Sequence, residues 1–458
     1  MRHRRAIAAL AAVLFGCAVL GALGLGVERK LDPLSLSVPG TTSAKGEALA
    51  KAHFGDSAPF AVLLRGPEAA IDRQGPGLVR ALRRSPAATV ISPWDRGTVT
   101  ALRQGPGEGR ALVVVDYHLP LAEAMRNTVP ALERTVQARI RPPLRAVQSG
   151  FASVSRALQE ESLRSTERAE LLAAPLLLLV LLLVFRSAVA AAIPLVFGAI
   201  TVLAGRGVLA LLGSVMTIDA LSLVVCTMMG LALGVDYSLL IVSRFREELA
   251  AARGPAEAAR RTRASAGRTT VFAGSTLLAA LVLSAFLQPG SLLLSLATAV
   301  AVVTAISVTV AVVVLPALLA LLGTRVNAGR IGALAGRSGR RSRVAAIAAT
   351  ALRRPALAAV AISIPLALLA APALGFTTGA PGIDELPTSN AARQSAEAID
   401  RAVGPGWEAP FVLVAAAHDG PITTPSRLAL LSRWQQRIAD EPGVRAVIGP
   451  AQIGRAHV

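Results

Sequence analysis

The chain has 458 residues, of which 53% are hydrophobic and only 3% aromatic, and its formal net charge is +19. Soluble domains are roughly 45–50% apolar even when glycine is counted, so this composition argues against an ordinary soluble protein. The positive charge comes mainly from arginines at the ends of apolar runs, where membrane proteins carry orientation signals. This placement argues against nucleic acid as a partner.

The first apolar run, residues 6–27, follows the basic start MRHRR. A bilayer needs about 20 apolar residues, whereas the apolar part of a signal peptide has only about 7–15. Residues 1–27 are therefore predicted to be a cytoplasmic start and a first transmembrane helix. A multi-pass membrane protein with a cytoplasmic N-terminus is expected.

The segment 28–168 is polar enough to form a folded extracytoplasmic domain. Short apolar runs that read as buried strands alternate in it with helical patterns, which predicts a small α/β module. Residues 151–168 read as a helix that continues into the second span. The predicted strands lie at 59–66, 88–94 and 111–117, and the predicted helices between them lie at 68–84 and 120–139.

Six further apolar runs predict six more membrane spans, which gives about seven in all. Arg186 marks a tight turn between the second and third spans. The loop 244–268 contains seven arginines and the basic loop 324–354 contains eight, so both are expected in the cytoplasm, like the N-terminus. The runs are 169–185, 187–205, 218–243, 269–287, 292–323 and 355–375.

The fourth span contains an acidic residue in the stretch GLALGVDYSLLIVSRFREE, residues 230–248. Asp236 precedes Arg244 by eight residues, which corresponds to about 12 Å of helix. A charge at such depth costs at least ~2.5–3.5 kcal/mol. A carboxyl whose protonation responds to its surroundings suits a proton relay, and the Tyr237 hydroxyl can donate or accept beside it. The alternative is a structural carboxyl that is hydrogen-bonded to neighbouring Ser or Thr.

Two glycines near this acid predict its environment. Gly230 and Gly234 form a small-xxx-small pattern, which lets another helix approach closely, and Gly234 shares a helix face with Tyr237. We therefore expect Asp236 and Tyr237 to lie at a helix–helix contact and not to face lipid.

Other polar residues of the spans carry weaker expectations. Arg244 and Arg246 are predicted to anchor the fourth span at the cytoplasmic interface. Asp219, about 17 residues before Asp236, is expected at the outer interface. The hydroxyls at the start of the fifth span could bond backbone carbonyls or line a polar path; they belong to Thr269, Thr270, Ser275 and Thr276.

An internal repeat links the two predicted outer segments. Residues 38–66 resemble residues 386–416, since both run from a proline through an Ala-rich helix and a glycine turn to the triplet APF and an apolar strand. Each copy follows an apolar span. The segment 376–452 is therefore expected to begin a second extracytoplasmic domain. The last residues, 453–458, can be encoded by the start of a common sequencing adapter, which predicts read-through and a truncated chain; a genuine short tail is the alternative.

These features resemble the mycobacterial membrane protein large (MMPL) family of the resistance–nodulation–division superfamily. The resemblance rests on the Asp-Tyr stretch, on FRSAVAAAIPL (185–195) and on GRTTVFAG (267–274). It also rests on the order of one span, an outer α/β domain, six spans and a second outer domain. Residues 169–323 resemble a sterol-sensing domain as well.

The resemblance implies export of lipids or other hydrophobic compounds across the bacterial inner membrane, driven by the proton gradient, and an outer α/β domain of the porter type. In the family, Asp-Tyr pairs in the fourth and tenth spans form the proton relay, and Asp236 and Tyr237 match the first pair. It implies no cofactor apart from protons as the coupling ion, and membrane lipids, a hydrophobic substrate and a possible homo-oligomer or accessory membrane proteins as partners. The motifs of ATPases and hydrolases are not found in the sequence, so the protein is expected to be a secondary transporter and not an enzyme.

Two other functional classes remain open. One is a non-transporting membrane protein that senses lipid or sterol, and the other is a translocation motor of the SecD/SecF type, which shares the superfamily architecture. A second Asp-Tyr pair in the complete reading frame would favour the exporter.

Overall fold

A computed structural model gives the fold and describes residues 2–27, 31, 40–85, 87–95, 103–104, 108–251, 254–287, 291–329, 350–375, 382–404, 413–417, 419–444 and 447. The chain forms two compact units. One comprises residues 1–39 and 157–386 and is called the membrane unit below; the other comprises residues 40–156 and 387–458 and is called the sheet unit. Most of the basic loop, residues 330–349, and the predicted tail, 453–458, lie outside the described residues.

The sheet unit is built on an antiparallel sheet in the order β2-β4-β1-β5, with β3 paired to β4. The central pair runs from Ala58 opposite Tyr117 to Pro67 opposite Glu108. The predicted strands are confirmed at β1, β2 and β4. The strands are β1 Ala58–Pro67, β2 Ala88–Ile91, β3 Arg103–Gln104, β4 Glu108–Tyr117 and β5 Arg145–Gly150.

Strand β1 is apolar on both faces because both faces are covered. Phe60 and Val62 belong to the large core, together with Ile71 of the helix that follows the strand. Ala61 and Leu63 point to the opposite side and pack with Ile399. A strand that is buried on both sides reads as a continuous apolar run, and this explains PFAVLLRG. The helices of this unit are α2 Thr42–Phe54, α3 Glu68–Leu82, α4 Leu121–Glu123, α5 Val129–Arg139, α14 Ala391–Val403 and α15 Pro425–Ala439.

The two copies of the predicted repeat share local structure. Helices α2 and α14 both have 13 residues. The Thr41 hydroxyl caps α2 and the Asn390 amide oxygen caps α14, while Gly55 and Gly404 end the two helices with φ of 78° and 104°. Only glycine adopts such angles without strain, so the glycine turn is a structural requirement in both copies. The second APF triplet falls within 405–412, outside the described residues.

The predicted second outer domain does not stand apart from the first in this chain. Helix α14 packs on the sheet, and the Arg65 guanidinium donates a hydrogen bond of 2.5 Å to the Ala398 carbonyl. Residues of both predicted segments thus share one compact unit. The first segment of that unit ends at Arg156, whereas the first domain was predicted to end at residue 168.

Six helices in the described residues are long and apolar enough to span a membrane. They confirm the second to seventh predicted spans. The first predicted span is represented by α1 Arg2–Gly24, in which Phe15–Gly24 forms a shorter apolar helix. The helices are α6 Phe151–Phe185, α7 Ala188–Leu212, α8 Leu221–Ala250, α9 Pro255–Thr262 continued by α10 Arg268–Leu287, α11 Ser291–Thr309 continued by α12 Leu315–Leu322, and α13 Pro355–Ala370.

Local chemistry explains where these helices begin and end. Helix α6 begins directly after β5, as predicted for 151–168, and ends at the Arg186 turn, where φ is +53°. The Ser187 hydroxyl then caps α7 by accepting a hydrogen bond from the Ala190 N–H. The Asp219 carboxylate accepts a bond of 2.8 Å from the Leu221 N–H at the start of α8, which gives this buried acid a structural role.

Candidate functional site

Helix α8 holds the predicted functional residues, and glycines fix its position against α7. A β-carbon at position 234 would lie only 2.7 Å from the Gly198 Cα, and one at position 230 would lie 3.1 Å from Val202. Gly205 likewise faces Cys226. Since residue numbers rise along α7 as they fall along α8, the two helices are antiparallel. Gly230 and Gly234 thus lie on the side of α8 that faces α7, where a small-xxx-small pattern lets helices approach closely.

Asp236 does not lie on that contact. It is exposed, and so are Met228, Ala232 and Leu240, which are spaced every four residues along one face of α8. The prediction that Asp236 faces another helix is therefore wrong for the described residues. The reason is angular: Asp236 is two positions after Gly234, and on a helix of 3.6 residues per turn this rotates its side chain by about 200°, to nearly the opposite face.

The neighbours of Asp236 are more enclosed. Tyr237 is half-buried and packs against the apolar core between α7, α8 and α12, which contains Ile241 and Phe245. The Ser238 hydroxyl is buried and donates to the Gly234 carbonyl at 2.5 Å. The expectation of a helix contact therefore holds for Tyr237. No hydrogen bond of Asp236 is found among the described residues.

The two arginines that were predicted as interface anchors have protein partners. Arg244 forms ion pairs with Glu247 at 2.9 Å and with Glu248 at 2.8 Å. Arg246 donates to the Asn327 amide oxygen and to the Phe185 carbonyl, both at 2.8 Å, and its guanidinium carbon lies 5.5 Å from the centre of the Phe185 ring. Arg246 thus holds the end of α6 and the segment after α12 to α8.

The turn between α6 and α7 belongs to the same junction. The Ser187 hydroxyl is buried and lies within hydrogen-bond distance of the carbonyls of Val326 and Ala328, at 2.9 and 2.8 Å. The Ala188 N–H donates to the Gly329 carbonyl. Sequence reasoning identified the turn at Arg186 but missed these contacts, because the partners lie about 140 residues further along the chain.

The hydroxyls at the start of the fifth span satisfy their own helix. Thr270 donates to the Ala266 carbonyl at 3.0 Å, and Ser275 and Thr276 both donate to the Phe272 carbonyl at 2.9 Å. Thr269 makes a longer bond of 3.4 Å to the Ser265 carbonyl. Of the two readings of these residues, bonding to backbone carbonyls is the observed one.

An open groove of about 660 Å³ lies between α8 and the start of α10. Leu240, Ser243, Arg244 and Glu247 form the α8 side of the groove. The opposite side includes Ser265, Arg268, Thr269 and Phe272. Sequence reasoning missed this groove, since its two walls come from helices that are brought together only by the tertiary fold.

Comparison with known proteins identifies the family. The MMPL family matches residues 37–362, which is most of the chain and includes the Asp-Tyr stretch of α8. The chain belongs to the MMPL family. It is thus a multi-pass membrane protein of a transporter family, as the sequence predicted.

Three MMPL relatives show the range of named activities. The "Heme uptake protein MmpL11" of Mycobacterium tuberculosis (strain ATCC 25618 / H37Rv) is 30% identical over 66% of this chain and 31% of that protein. The "Mycolic acid-containing lipids exporter MmpL11" of Mycolicibacterium smegmatis is 31% identical over 60% and 29%. The "Trehalose monomycolate exporter MmpL3" of the same organism is 31% identical over 57% and 28%. The chain therefore spans about three tenths of the length of these relatives.

Proposed function

We propose that this chain is part of a secondary transporter that exports lipids or other hydrophobic compounds across the bacterial inner membrane. Protons are the coupling ion, no other cofactor takes part, and the N-terminus is cytoplasmic. Family membership supports transport, and two of the relatives named above are lipid exporters. In this proposal Asp236 and Tyr237 carry the proton relay.

The observation that carries the proposal is the position of Asp236. It lies in the middle of a spanning helix, on a stripe whose other members Met228, Ala232 and Leu240 are apolar. An ionisable group at such a place is costly, and in membrane proteins it usually marks an ion or substrate path. Placing a charge at that depth costs at least ~2.5–3.5 kcal/mol. Because no hydrogen bond of Asp236 among the described residues offsets this cost, a functional role is favoured.

The structural alternative has little support from the contacts of α8. A structural carboxyl would accept hydrogen bonds from nearby Ser or Thr side chains. Ser238, the nearest hydroxyl along the chain, instead donates to the Gly234 carbonyl, and Thr201 on the facing helix donates to the Phe197 carbonyl. Among the described residues, Asp236 thus has no hydrogen bond that would explain its place in the fold. Asp219, by contrast, has a structural bond to the start of α8.

In the proposed mechanism, Asp236 alternates between its protonated and ionised forms. Each form favours a different arrangement of the spanning helices, so proton movement shifts the population between them. Tyr237 is held by the core beside α8 and supplies a hydroxyl that can donate to the carboxylate or accept from the acid. The sheet unit is proposed to contact the transported compound outside the membrane.

The test is Asp236→Asn in the complete reading frame, with lipid export measured in cells. The substitution keeps the size of the side chain and removes its proton, so export should fall to background while the amount of protein in the membrane is unchanged. Asp219→Asn is the matched control, because asparagine still offers an oxygen to the Leu221 N–H. This control should export normally.

Normal export by Asp236→Asn would contradict the relay assignment. If the unsubstituted protein binds lipid but does not export it, the protein is a lipid sensor and not a transporter.

A further inference from the structure

The residues below Asp236 on α8 continue its stripe into the groove. Leu240, Ser243, Arg244 and Glu247 follow Asp236 at spacings of four, seven, eight and eleven residues, which places them on about the same face of the helix. All four line the groove between α8 and α10. Leu240 is thus the groove residue nearest to Asp236 along α8, one turn or about 6 Å away.

We propose that the groove holds water and connects the arginine-rich end of the helices with Asp236. In this proposal the Leu240 side chain is the apolar barrier between that water and Asp236. This inference rests on the proposed relay, to which it adds a route for protons and a barrier on that route. It assigns to Leu240 the role of limiting when water reaches the acid. It also assigns to the groove hydroxyls the role of holding that water.

The groove can hold water because its walls offer polar groups. Ser265 and Thr269 each donate their one hydroxyl proton to a carbonyl of their own helix, at 2.9 and 3.4 Å. Their oxygens keep lone pairs that can accept from water, and Ser243 adds a third hydroxyl. An ordered water needs about two to four polar partners, and a groove with three hydroxyls and charged side chains supplies them.

The charged groups at the end of the groove away from Asp236 suit a route for protons. Glu247 has a side chain that is 66% exposed, so it presents a carboxylate at the mouth. Arg244 pairs with Glu247 and with the more buried Glu248, while Arg268 stands on the α10 wall. The carboxylate and the hydroxyls together offer proton acceptors along the groove.

Leu240 interrupts this polar lining. Of the four α8 residues in the groove, it alone has no polar side-chain atom, and it is 39% exposed. Water that reaches Ser243 would therefore meet an apolar side chain before it reaches Asp236. A coupled transporter needs such a barrier, because an acid in water contact with both sides of the membrane at once would let protons pass without transport.

The test is the accessibility of introduced cysteines to a charged thiol reagent. The complete reading frame is used with Cys17→Ala and Cys226→Ala, in membrane fragments open on both faces. Ser243→Cys should react at least ~10-fold faster than Asp236→Cys, because the reactive thiolate forms in water and not in a dry environment. Adding Leu240→Ser to Asp236→Cys should raise its rate to within about threefold of Ser243→Cys, because the cysteine would then face the same water.

The matched control is Leu179→Ser, added to Asp236→Cys. Leu179 is also exposed, and it lies six residues before the end of α6 at Phe185, a depth similar to that of Leu240. This control should leave the Asp236→Cys rate unchanged. If Ser243→Cys reacts as slowly as Asp236→Cys, the groove is dry and the proposal is overturned. If the two serine variants act alike, Leu240 is not the barrier.

These rates do not depend on export. Normal export by Asp236→Asn would therefore remove the relay while leaving the hydration of the groove as measured. Slow labelling at Ser243, with export lost in Asp236→Asn, would keep the relay and remove only the route.

Discussion

The two units of this chain differ in how their elements pack. In the sheet unit, large side chains such as Phe60, Ile71 and Leu78 are fully buried around an antiparallel sheet. In the membrane unit, large side chains are buried too, but glycines bring neighbouring helices together at their backbones: a β-carbon at position 207 would lie 2.0 Å from the Leu20 carbonyl oxygen, and one at 234 would lie 2.7 Å from the Gly198 Cα.

The difference follows from the solvent of each unit. Water drives large apolar side chains together, so a water-facing domain gains most from bulk. Lipid offers no such force between helices, and spanning helices gain most when their backbones approach closely. Large-to-small changes should therefore damage the sheet unit most, and small-to-large changes should damage the membrane unit most.

The largest expected effect is Phe60→Ala in the sheet unit. The ring is 1% exposed and meets the Tyr117 ring edge-on, with centroids 5.7 Å apart. Its loss should lower the free energy of unfolding by ~3–5 kcal/mol. All three tryptophans, at positions 94, 407 and 434, belong to the sheet unit, so their fluorescence in urea reports this unit alone.

Phe54→Ala is the control for Phe60→Ala. Phe54 is 73% exposed on α2, so its truncation should change the free energy of unfolding by less than about 0.5 kcal/mol. Equal effects of the two substitutions would mean that the core described for the sheet unit is not the source of its stability.

The strands of the sheet unit show what local sequence can predict. Apolar runs located β1, β2 and β4 to within a few residues, because burial on both faces makes a run continuously apolar. Strand β5, with the sequence RAVQSG, was missed because its alternation is weak and its exposure intermediate. The cover that α14 gives to β1 could not be predicted either, since Ala61 and Ile399 are brought together only by the tertiary fold.

The candidate site shows the same limit. The Asp-Tyr motif, its helix and the glycine contact were all predictable, because each depends on a pattern within a few turns. The face of Asp236 was not, since it depends on which sides of α8 are covered by α7 and α11. The partners of Arg246 were missed for the same reason: Phe185 and Asn327 are distant in sequence.

Gly234→Leu in the membrane unit is the opposite kind of change, from small to large, and we expect it to destabilise the protein less than Phe60→Ala does. The new side chain would collide with the backbone of α7 at Gly198, which cannot move aside as a flexible side chain could. Overpacking of this kind should cost ~1–3 kcal/mol. Resistance of the helices to sodium dodecyl sulfate, followed by far-ultraviolet circular dichroism, measures it.

Ala199→Leu is the matched control, because Ala199 is exposed on α7 beside Gly198. It adds similar bulk away from α8 and should leave the detergent resistance unchanged. If Gly234→Leu is equally well tolerated, close backbone approach is not what holds α7 and α8 together.

The smallest expected effect comes from a charge pair in the sheet unit. Asp95 accepts hydrogen bonds from the Arg83 guanidinium at 2.5 Å and from the Ser92 N–H at 2.9 Å. Partial burial acts to raise the pKa of Asp95, but these hydrogen bonds outweigh it and hold the pKa below its ordinary value. Since both side chains are partly exposed, Asp95→Asn should lower the free energy of unfolding at neutral pH by less than about 1 kcal/mol.

The sign of the pH dependence follows from the lowered pKa. The ionised carboxylate stabilises the fold fully above the unfolded value of about 3.9, and this contribution is lost as the pH falls through the lower folded value. The difference between the unsubstituted chain and Asp95→Asn should therefore be constant at neutral pH and shrink as the pH falls below about 3.9. Arg83→Gln should remove the same acid-sensitive part, and adding it to Asp95→Asn should cost less than the two changes summed. A difference that does not shrink in acid would show that the carboxylate charge contributes nothing to this contact.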